Sequence, residues 1–306
     1  MAVSHAPVVG SAAAGTAADA PYPRGTVVAC WSPSGGVGTT TLTVSLATLA
    51  AGTQVGRRSG VAAVDFDLPF GTLAPRFGLE SWHSLADVGL PGESFGRGSA
   101  VEALMPTAAG VSVLGVPTDV LLAEGLASED CLNALGAIAG RHALTVVDAG
   151  SALTETAVAL LELADAAVVV LSDDPHSLPA TRSALAALHL LRGANRRAAD
   201  PWLVATRMAA PHALTPEELA RALARPDRPT RLAAALPDAD DVRRATRHGR
   251  LLAYDWPDHP YVTAVASLLD LLWRPFGDVR YPDAGALSQR AQRRRRSWLR
   301  RRPGGP

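Results

Sequence analysis

The chain of 306 residues contains no lysine, and all 29 of its basic residues are arginine. Any chemistry that needs a lysine must therefore come from another molecule. Only two cysteines are present, Cys30 and Cys131, too few for a disulfide framework or a four-cysteine zinc site. The longest strongly apolar run, residues 166–171, is far shorter than the roughly 18 to 20 residues of a membrane-spanning helix. No secretory signal pattern opens the chain, and we expect a cytoplasmic protein.

The composition is that of a globular protein, with 48% hydrophobic and 19% charged residues. The formal net charge of zero conceals an asymmetry, because residues 290–306 contain eight arginines and no acid. Removing those eight leaves 21 basic and 29 acidic residues, so the body carries about minus eight and the tail plus eight.

The chain divides into three parts. Residues 1–24 are rich in Ala, Gly, Ser and Pro without periodicity, which predicts a disordered leader. Residues 25–276 alternate short β-branched runs with Ala/Leu-rich stretches, which predicts a doubly wound, mostly parallel sheet of about seven strands with helices on both faces. Residues 277–306 are predicted to be a linker and an arginine-rich tail.

The predicted elements follow the alternation of apolar runs and helical periodicity. The predicted strands cover residues 26–31, 61–65, 111–114, 144–148, 166–171, 202–206 and 232–236. The predicted helices cover residues 40–51, 129–139, 154–163, 177–191, 216–223, 241–248 and 261–273.

The strongest local pattern is an apolar strand, a glycine-rich turn and a long Ala/Leu-rich helix, over residues 26–51. Backbone N–H groups in such a turn converge on an anion, and the helix N-terminus adds its partial positive charge. A hydroxyl at Thr40 is placed to ligate Mg²⁺. The alternative is a tight turn that binds nothing.

This turn resembles the deviant Walker A loop of the MinD/ParA family of P-loop ATPases, Lys-Gly-Gly-x-Gly-Lys-Thr-Thr. The matching residues here are Ser34, Gly35, Gly36, Val37, Gly38, Thr39, Thr40 and Thr41. The resemblance implies that these residues bind ATP and that Thr40 ligates Mg²⁺. Ser34 stands in place of the family's lysine that reaches across the dimer, and Thr39 stands in place of the Walker lysine.

Three aspartates extend the resemblance. Asp65 and Asp67 flank Phe66 at the end of a predicted strand, where ligands bind in open α/β sheets, and they are similar to the family's switch I Asp-x-Asp. The resemblance implies that Asp65 lies at the nucleotide and that Asp67 polarises the attacking water. Asp148 ends another strand and looks like the Walker B aspartate, which holds Mg²⁺ through water. The alternative for Asp65 and Asp67 is a pair of solvated carboxylates.

Within the family, residues 77–88 and 110–124 look most like the CpaE/TadZ branch, the MinD-like proteins of Tad (Flp) pilus assembly and their septum-site-like relatives. The resemblance covers residues 26–273 and implies a homodimer that binds components of a pilus, secretion or division machine. The asparagine that often contacts adenine in the family is absent, because Thr206 and Arg207 stand there.

The missing lysines predict a pseudo-ATPase. Losing two charge-assisted hydrogen bonds costs about 3 to 6 kcal/mol of phosphate binding, and phosphoryl transfer relies on fixed positive charge. We therefore expect a MinD/CpaE-like spatial regulator or scaffold that binds ATP and Mg²⁺ weakly. The alternatives are an active Mg-ATPase cycling between monomer and dimer, with an arginine such as Arg182 or Arg207 in the lysine's role, and a ParA-like non-specific DNA-binding protein.

The tail from Arg290 to Arg302 occupies the place of the membrane-binding helix at the end of MinD. Its arginines, with Trp298 at the interface, predict reversible binding to an anionic membrane at the inner face of the plasma membrane. DNA is the less favoured partner, and a solvated charge run is the alternative.

Overall fold

The computed structural model describes residues 24–87, 99–172, 174, 177–192, 200–208, 214–224, 232–238 and 240–273. Nearly all of the predicted leader and the whole of the segment 277–306 lie outside these residues. The strands are β1 Thr26–Trp31, β2 Val61–Asp65, β3 Met105–Pro106, β4 Val111–Leu114, β5 Leu144–Asp148, β6 Ala166–Ser172, β7 Trp202–Met208 and β8 Leu232–Pro237.

The described helices vary from one turn to more than four. They are α1 Thr39–Gly52, α2 Gln54–Ser59, α3 Leu73–Arg76, α4 Ser99–Glu102, α5 Val120–Gly125, α6 Ser128–Ala139, α7 Glu155–Leu163, α8 Ser177–Arg192, α9 Pro216–Leu223, α10 Asp240–Arg247, α11 Leu252–Asp255 and α12 Pro260–Leu272. None of these helices has the length and apolarity needed to cross a bilayer.

All eight strands form one sheet in the order β3-β4-β2-β5-β1-β6-β7-β8. Every neighbouring pair is parallel except β3 with β4. The predicted fold class, a doubly wound and mostly parallel α/β sheet, is confirmed. The predicted strand count omitted β3, because a two-residue strand that ends in proline shows no β periodicity.

The sheet is buried on both faces, which is why most positions of its central strands are apolar. Alternate residues of β1 enter two separate cores. Val28 and Cys30 pack in the core that includes α1 and α12, whereas Val27, Ala29 and Trp31 pack in the core that includes α6 and α7.

The parallel strands bring their carboxyl ends to one edge of the sheet. β5 lies between β1 and β2, so Asp65 at the end of β2 is the register partner of Asp148 at the end of β5. The loop after β1 leaves from the same edge. The sheet order therefore places the glycine-rich loop and the aspartates side by side.

Candidate nucleotide-binding site

A cavity of about 370 Å³ opens at the carboxyl ends of β1, β2, β5, β7 and β8. The phosphate loop, residues 34–41, lines the cavity together with the ends of β7 and β8 and with α10. The cavity is also lined by Asp67, Arg76, Asp148, Gly150, Ser151, Thr206, Arg207, Pro237, Asp238, Arg243 and Arg247. Pro237 and Asp238, at the end of β8, thus line the same cavity as the loop.

The phosphate loop has the backbone shape that its glycines permit. Gly36 and Gly38 have left-handed φ values of 74° and 104°, which residues with a side chain rarely adopt. Gly38 is the N-cap of α1, no side chain caps that helix, and its first turn has no acidic residue. The N–H groups and positive dipole end of α1 are therefore directed at the cavity.

Two hydroxyl groups hold the loop against the sheet. The Ser32 hydroxyl donates to the carbonyl oxygen of Ser34 at 2.9 Å and accepts from its N–H at 3.1 Å. The Thr206 hydroxyl, at the end of β7, donates to the carbonyl of Val37. Thr206, at the position of the family's adenine-contacting asparagine, thus supports the loop.

Asp65 ends β2 and is not among the residues that line the cavity. Its contact with nucleotide stays a prediction. Its side chain is buried, and its two oxygens accept from the N–H of Asp67 at 3.1 Å and of Leu73 at 2.8 Å. Burial and the Asp148 carboxylate raise the pKa of Asp65 well above its usual value. Both hydrogen bonds of this carboxylate therefore stabilise the loop that leads into α3.

Asp148 is 1% exposed and reaches the cavity from the end of β5. Its Oδ1 accepts from the N–H of Gly150 at 3.1 Å, whereas its Oδ2 is buried without a hydrogen-bond partner among the described residues. Burial raises the pKa of Asp148 to about 6, although the Thr40 hydroxyl lowers it. The site therefore contains a buried oxygen acceptor beside a hydroxyl group.

Asp67 is half-buried and lines the cavity beside Asp148. Burial raises the pKa of Asp67, and the backbone N–H of Ser151 opposes that rise. A Cβ on Gly150 would lie 1.9 Å from Asp67 Oδ1, and Gly150 has a φ of 68°. Only a glycine at position 150 lets the loop after β5 lie this close to Asp67 in the loop after β2.

Four arginines line the cavity, and sequence reasoning named one of them, Arg207. Arg76 on α3 donates from Nη1 to Thr41 Oγ1 at 3.3 Å. Arg243 is paired with Asp238 and Asp240. Arg182, the other arginine considered as a replacement for the lysine, lies exposed on α8 and does not line the cavity. Arg76 was missed because a four-residue helix shows no periodicity that places its side chains.

By sequence, the chain matches no protein-family model and no curated protein. In structure it is similar to a ParA family ATPase from Chlorobium tepidum, with a TM-score of 0.66, 17% identity and coverage of 81% of this chain and 98% of that one. MinD of Pyrococcus horikoshii complexed with Mg-ADP gives a TM-score of 0.65 at 20% identity, covering 80% and 95%.

The MinC:MinD cell division protein complex of Aquifex aeolicus is also similar, with a TM-score of 0.64, 20% identity and coverage of 84% and 100%. These likenesses, with the sheet order and the loop between β1 and α1, show that the chain has the fold of the MinD/ParA-type P-loop ATPases.

Proposed function

We propose that this chain is a nucleotide-binding spatial regulator or scaffold of the MinD/ParA type, which binds ATP weakly and hydrolyses it poorly or not at all. The observation that carries the proposal is a cavity where an uncapped helix N-terminus and a left-handed glycine loop meet a buried carboxylate oxygen without a partner. The helix end and loop suit phosphate, and the carboxylate oxygen suits a hydrated cation.

The donor set fits Mg²⁺ only together with a nucleotide. The described residues include no group of three or more His, Cys, Asp or Glu side chains that could hold a metal ion. Mg²⁺ keeps several waters and is usually bound by one or two protein groups plus substrate phosphates. Thr40 would hold it through its hydroxyl and Asp148 through water. Bound there, the cation would offset the negative charge of the phosphates.

Poor hydrolysis follows from the charge of the loop. Ser34 and Thr39 are neutral at the two positions where the family has lysines, and phosphoryl transfer depends on fixed positive charge around the transferring group. In a hydrolysing enzyme, Asp67 would polarise the attacking water. Its position beside Asp148 in the cavity is compatible with that role.

We propose that the cellular process is the assembly or positioning of a Tad-type pilus, secretion or division machine. The basis is the resemblance of residues 77–88 and 110–124 to the CpaE/TadZ branch. One structural neighbour, MinD of Aquifex aeolicus, forms a complex with MinC, and we infer that this chain likewise acts through protein partners.

We also propose a homodimer formed through the face that bears Ser34. The loop lies at the open edge of the sheet, so two copies can meet there without rearranging either core. Sedimentation velocity should detect a dimer, and Mg-ATP should increase its population if nucleotide lies at the interface. A strict monomer at tens of micromolar, with and without Mg-ATP, would contradict this proposal.

Calorimetric titration with Mg-ATP tests the nucleotide site. We expect weak binding that depends on Mg²⁺ and that Asp148→Ala weakens by about tenfold or more, as loss of an outer-sphere metal contact does. Asp258→Ala, at an exposed position, is the matched control. Absence of ATP binding to the folded wild-type protein would refute the proposal.

Phosphate release separates a pseudo-ATPase from the second candidate, an active Mg-ATPase. The second candidate is favoured by one observation, the presence of Arg76 in the cavity. We expect the wild-type protein to release phosphate no faster than Asp67→Ala. Turnover of about one per minute or faster that depends on Asp67 would establish the active enzyme. Salt-dependent retention of duplex DNA would instead support a partition protein.

A further inference from the structure

Arg76 lies at the phosphate loop although it is distant from it in sequence. Its side chain is half-buried at the end of α3, it lines the cavity, and its Nη1 donates to Thr41 Oγ1 at 3.3 Å. Thr41 is in the first turn of α1. The guanidinium therefore lies next to the helix end at which phosphate oxygens would bind.

The chain holds α3, and so Arg76, in a fixed place. Asp65 accepts from the N–H groups of Asp67 and Leu73, which ties both ends of the intervening loop to β2. Leu73 is fully buried, and Phe77, directly after α3, is also buried. Arg76 Nε donates to Thr72 Oγ1 at 3.3 Å. The position of the cation is thus set before any ligand arrives.

The guanidinium retains capacity for an anion. Its hydrogen bonds to described residues use two of its five N–H groups, both with neutral hydroxyls. No carboxylate of the described chain lies within ion-pair distance of it. Burial raises the pKa of Asp148, and the nearby charge of Arg76 opposes that rise.

The other three arginines of the cavity are less suited to binding an anion beside the first turn of α1. Arg243 is already paired with Asp238 and Asp240. Arg207 on β7 and Arg247 on α10 line the cavity and are exposed to solvent. In the described part of the chain, Arg76 is the arginine that hydrogen-bonds a side chain of the phosphate loop.

We propose that Arg76 supplies the positive charge missing from the phosphate loop, by binding the polyphosphate group of a nucleoside di- or triphosphate beside the first turn of α1. The inference rests on the proposed nucleotide binding and adds the residue that replaces the lysine. The planar guanidinium presents several donors to phosphate oxygens, whereas lysine acts as a point charge.

The test compares wild type, Arg76→Gln and Arg58→Gln in titrations with Mg-ATP, Mg-ADP, adenosine and inorganic tripolyphosphate. Arg58 is exposed on α2, outside the cavity, and its change alters the net charge equally. We expect Arg76→Gln to weaken binding of the three phosphate-bearing ligands by about 10-fold to 100-fold and to leave adenosine unchanged. Arg58→Gln should stay within about twofold of wild type.

The outcomes separate this inference from the proposed function. Equal ATP affinity in wild type and Arg76→Gln would overturn the inference and leave nucleotide binding intact. Arg76-dependent binding of tripolyphosphate without ATP binding would overturn the proposed function and sustain the inference. Binding of neither ligand by the wild-type protein would overturn both.

A measurement on the wild-type protein covers the case in which Arg76→Gln fails to fold. Phenylglyoxal modifies arginine, and mass spectrometry gives the rate at each position. Saturating Mg-ATP, or tripolyphosphate alone, should slow modification of Arg76 about tenfold or more while leaving Arg58 unchanged, because bound phosphate occupies the guanidinium. An unchanged rate at Arg76 under saturation would overturn the inference.

Discussion

Thr39 stands at the loop position where the MinD/ParA pattern has the Walker lysine, so a lysine at this position would add a positive charge to the cavity. It is 9% exposed and lines the cavity. We predict that Thr39→Lys strengthens Mg-ATP binding about tenfold or more, because it restores one charge-assisted hydrogen bond. Calorimetric titration measures the change.

The control for that substitution is Ser59→Lys, which adds the same charge at the exposed end of α2. Ser59→Lys should leave the affinity for Mg-ATP unchanged. If a folded Thr39→Lys variant bound Mg-ATP no better than the wild type, the loop would not hold phosphate in the way that we propose.

The carboxylate of Asp148, which we propose holds Mg²⁺ through water, destabilises the folded protein. Burial raises the pKa of its carboxyl to about 6, so the ionised form is disfavoured in the folded state, whereas the amide of an asparagine carries no charge. We predict that Asp148→Asn raises the free energy of unfolding at pH 7.5 by about 1–3 kcal/mol and weakens Mg²⁺-dependent nucleotide binding about tenfold or more. Urea denaturation measures the first effect, and exposed Asp258→Asn should change stability by less than about 0.5 kcal/mol.

The sign of the pH dependence follows from the pKa of Asp148. Burial raises that pKa from 3.8 to about 6, so the folded state binds this proton more tightly than the unfolded state. The ionised group destabilises the fold fully above about pH 6, and the penalty disappears near pH 3.8. The advantage of Asp148→Asn should therefore shrink as pH falls through this range, and a growing advantage would contradict the assignment.

At the scale of elements, the loop from β2 to α3 packs tightly against the carboxylate of Asp65. A Cβ on Gly71 would lie 2.3 Å from Asp65 Oδ1, whereas a Cβ on Gly35 would meet nothing within 4 Å. We predict that Gly71→Ala lowers the free energy of unfolding by about 1–3 kcal/mol, because either the loop or Asp65 must move. Chemical denaturation measures the loss.

Gly35→Ala is the matched control, since neither Gly71 nor Gly35 has a left-handed backbone. It should change stability by less than about 0.5 kcal/mol. Equal stability of Gly71→Ala and Gly35→Ala would mean that Asp65 does not constrain the loop, and the fixed placement of Arg76 would lose its basis.

The buried parallel strands were predictable, and the short helices were not. The predicted strands 26–31, 61–65, 111–114 and 144–148 coincide with β1, β2, β4 and β5, because buried parallel strands are continuous apolar runs. By contrast α2, α3, α4, α5 and α11 span four to six residues each, too few to show helical periodicity. The element that carries Arg76 is among those missed.

At the scale of the whole molecule, the charge distribution separates an acidic body from a tail of eight arginines in residues 290–306, which lie outside the described residues. We predict that the full chain binds anionic liposomes and that deletion of residues 290–306 releases it, because each arginine near an anionic leaflet contributes about 1 kcal/mol. Liposome co-sedimentation measures binding, and rising salt should weaken it.

Two controls identify the partner of the tail. Liposomes of neutral lipid should not retain the full chain, since the attraction is electrostatic. If the intact protein ignored anionic liposomes yet shifted duplex DNA at physiological salt, the membrane prediction would be wrong and the tail would be a nucleic-acid-binding segment.

The sequence by itself determined the fold class, the position of the glycine loop and the absence of lysine from it. These features are local: apolar runs specify buried strands, and glycines at 36 and 38 permit left-handed backbone. It also located the three aspartates at strand ends, where parallel strands assemble ligand sites.

Only the tertiary structure decided what each of those groups faces. Asp67 and Asp148 line the cavity, whereas Asp65 does not, and Arg76 hydrogen-bonds Thr41 across 35 positions of the chain. The physical reason is that such contacts depend on the order of strands in the sheet. Periodicity defines which face of a strand is buried, but it carries no information about which loop will lie beside which.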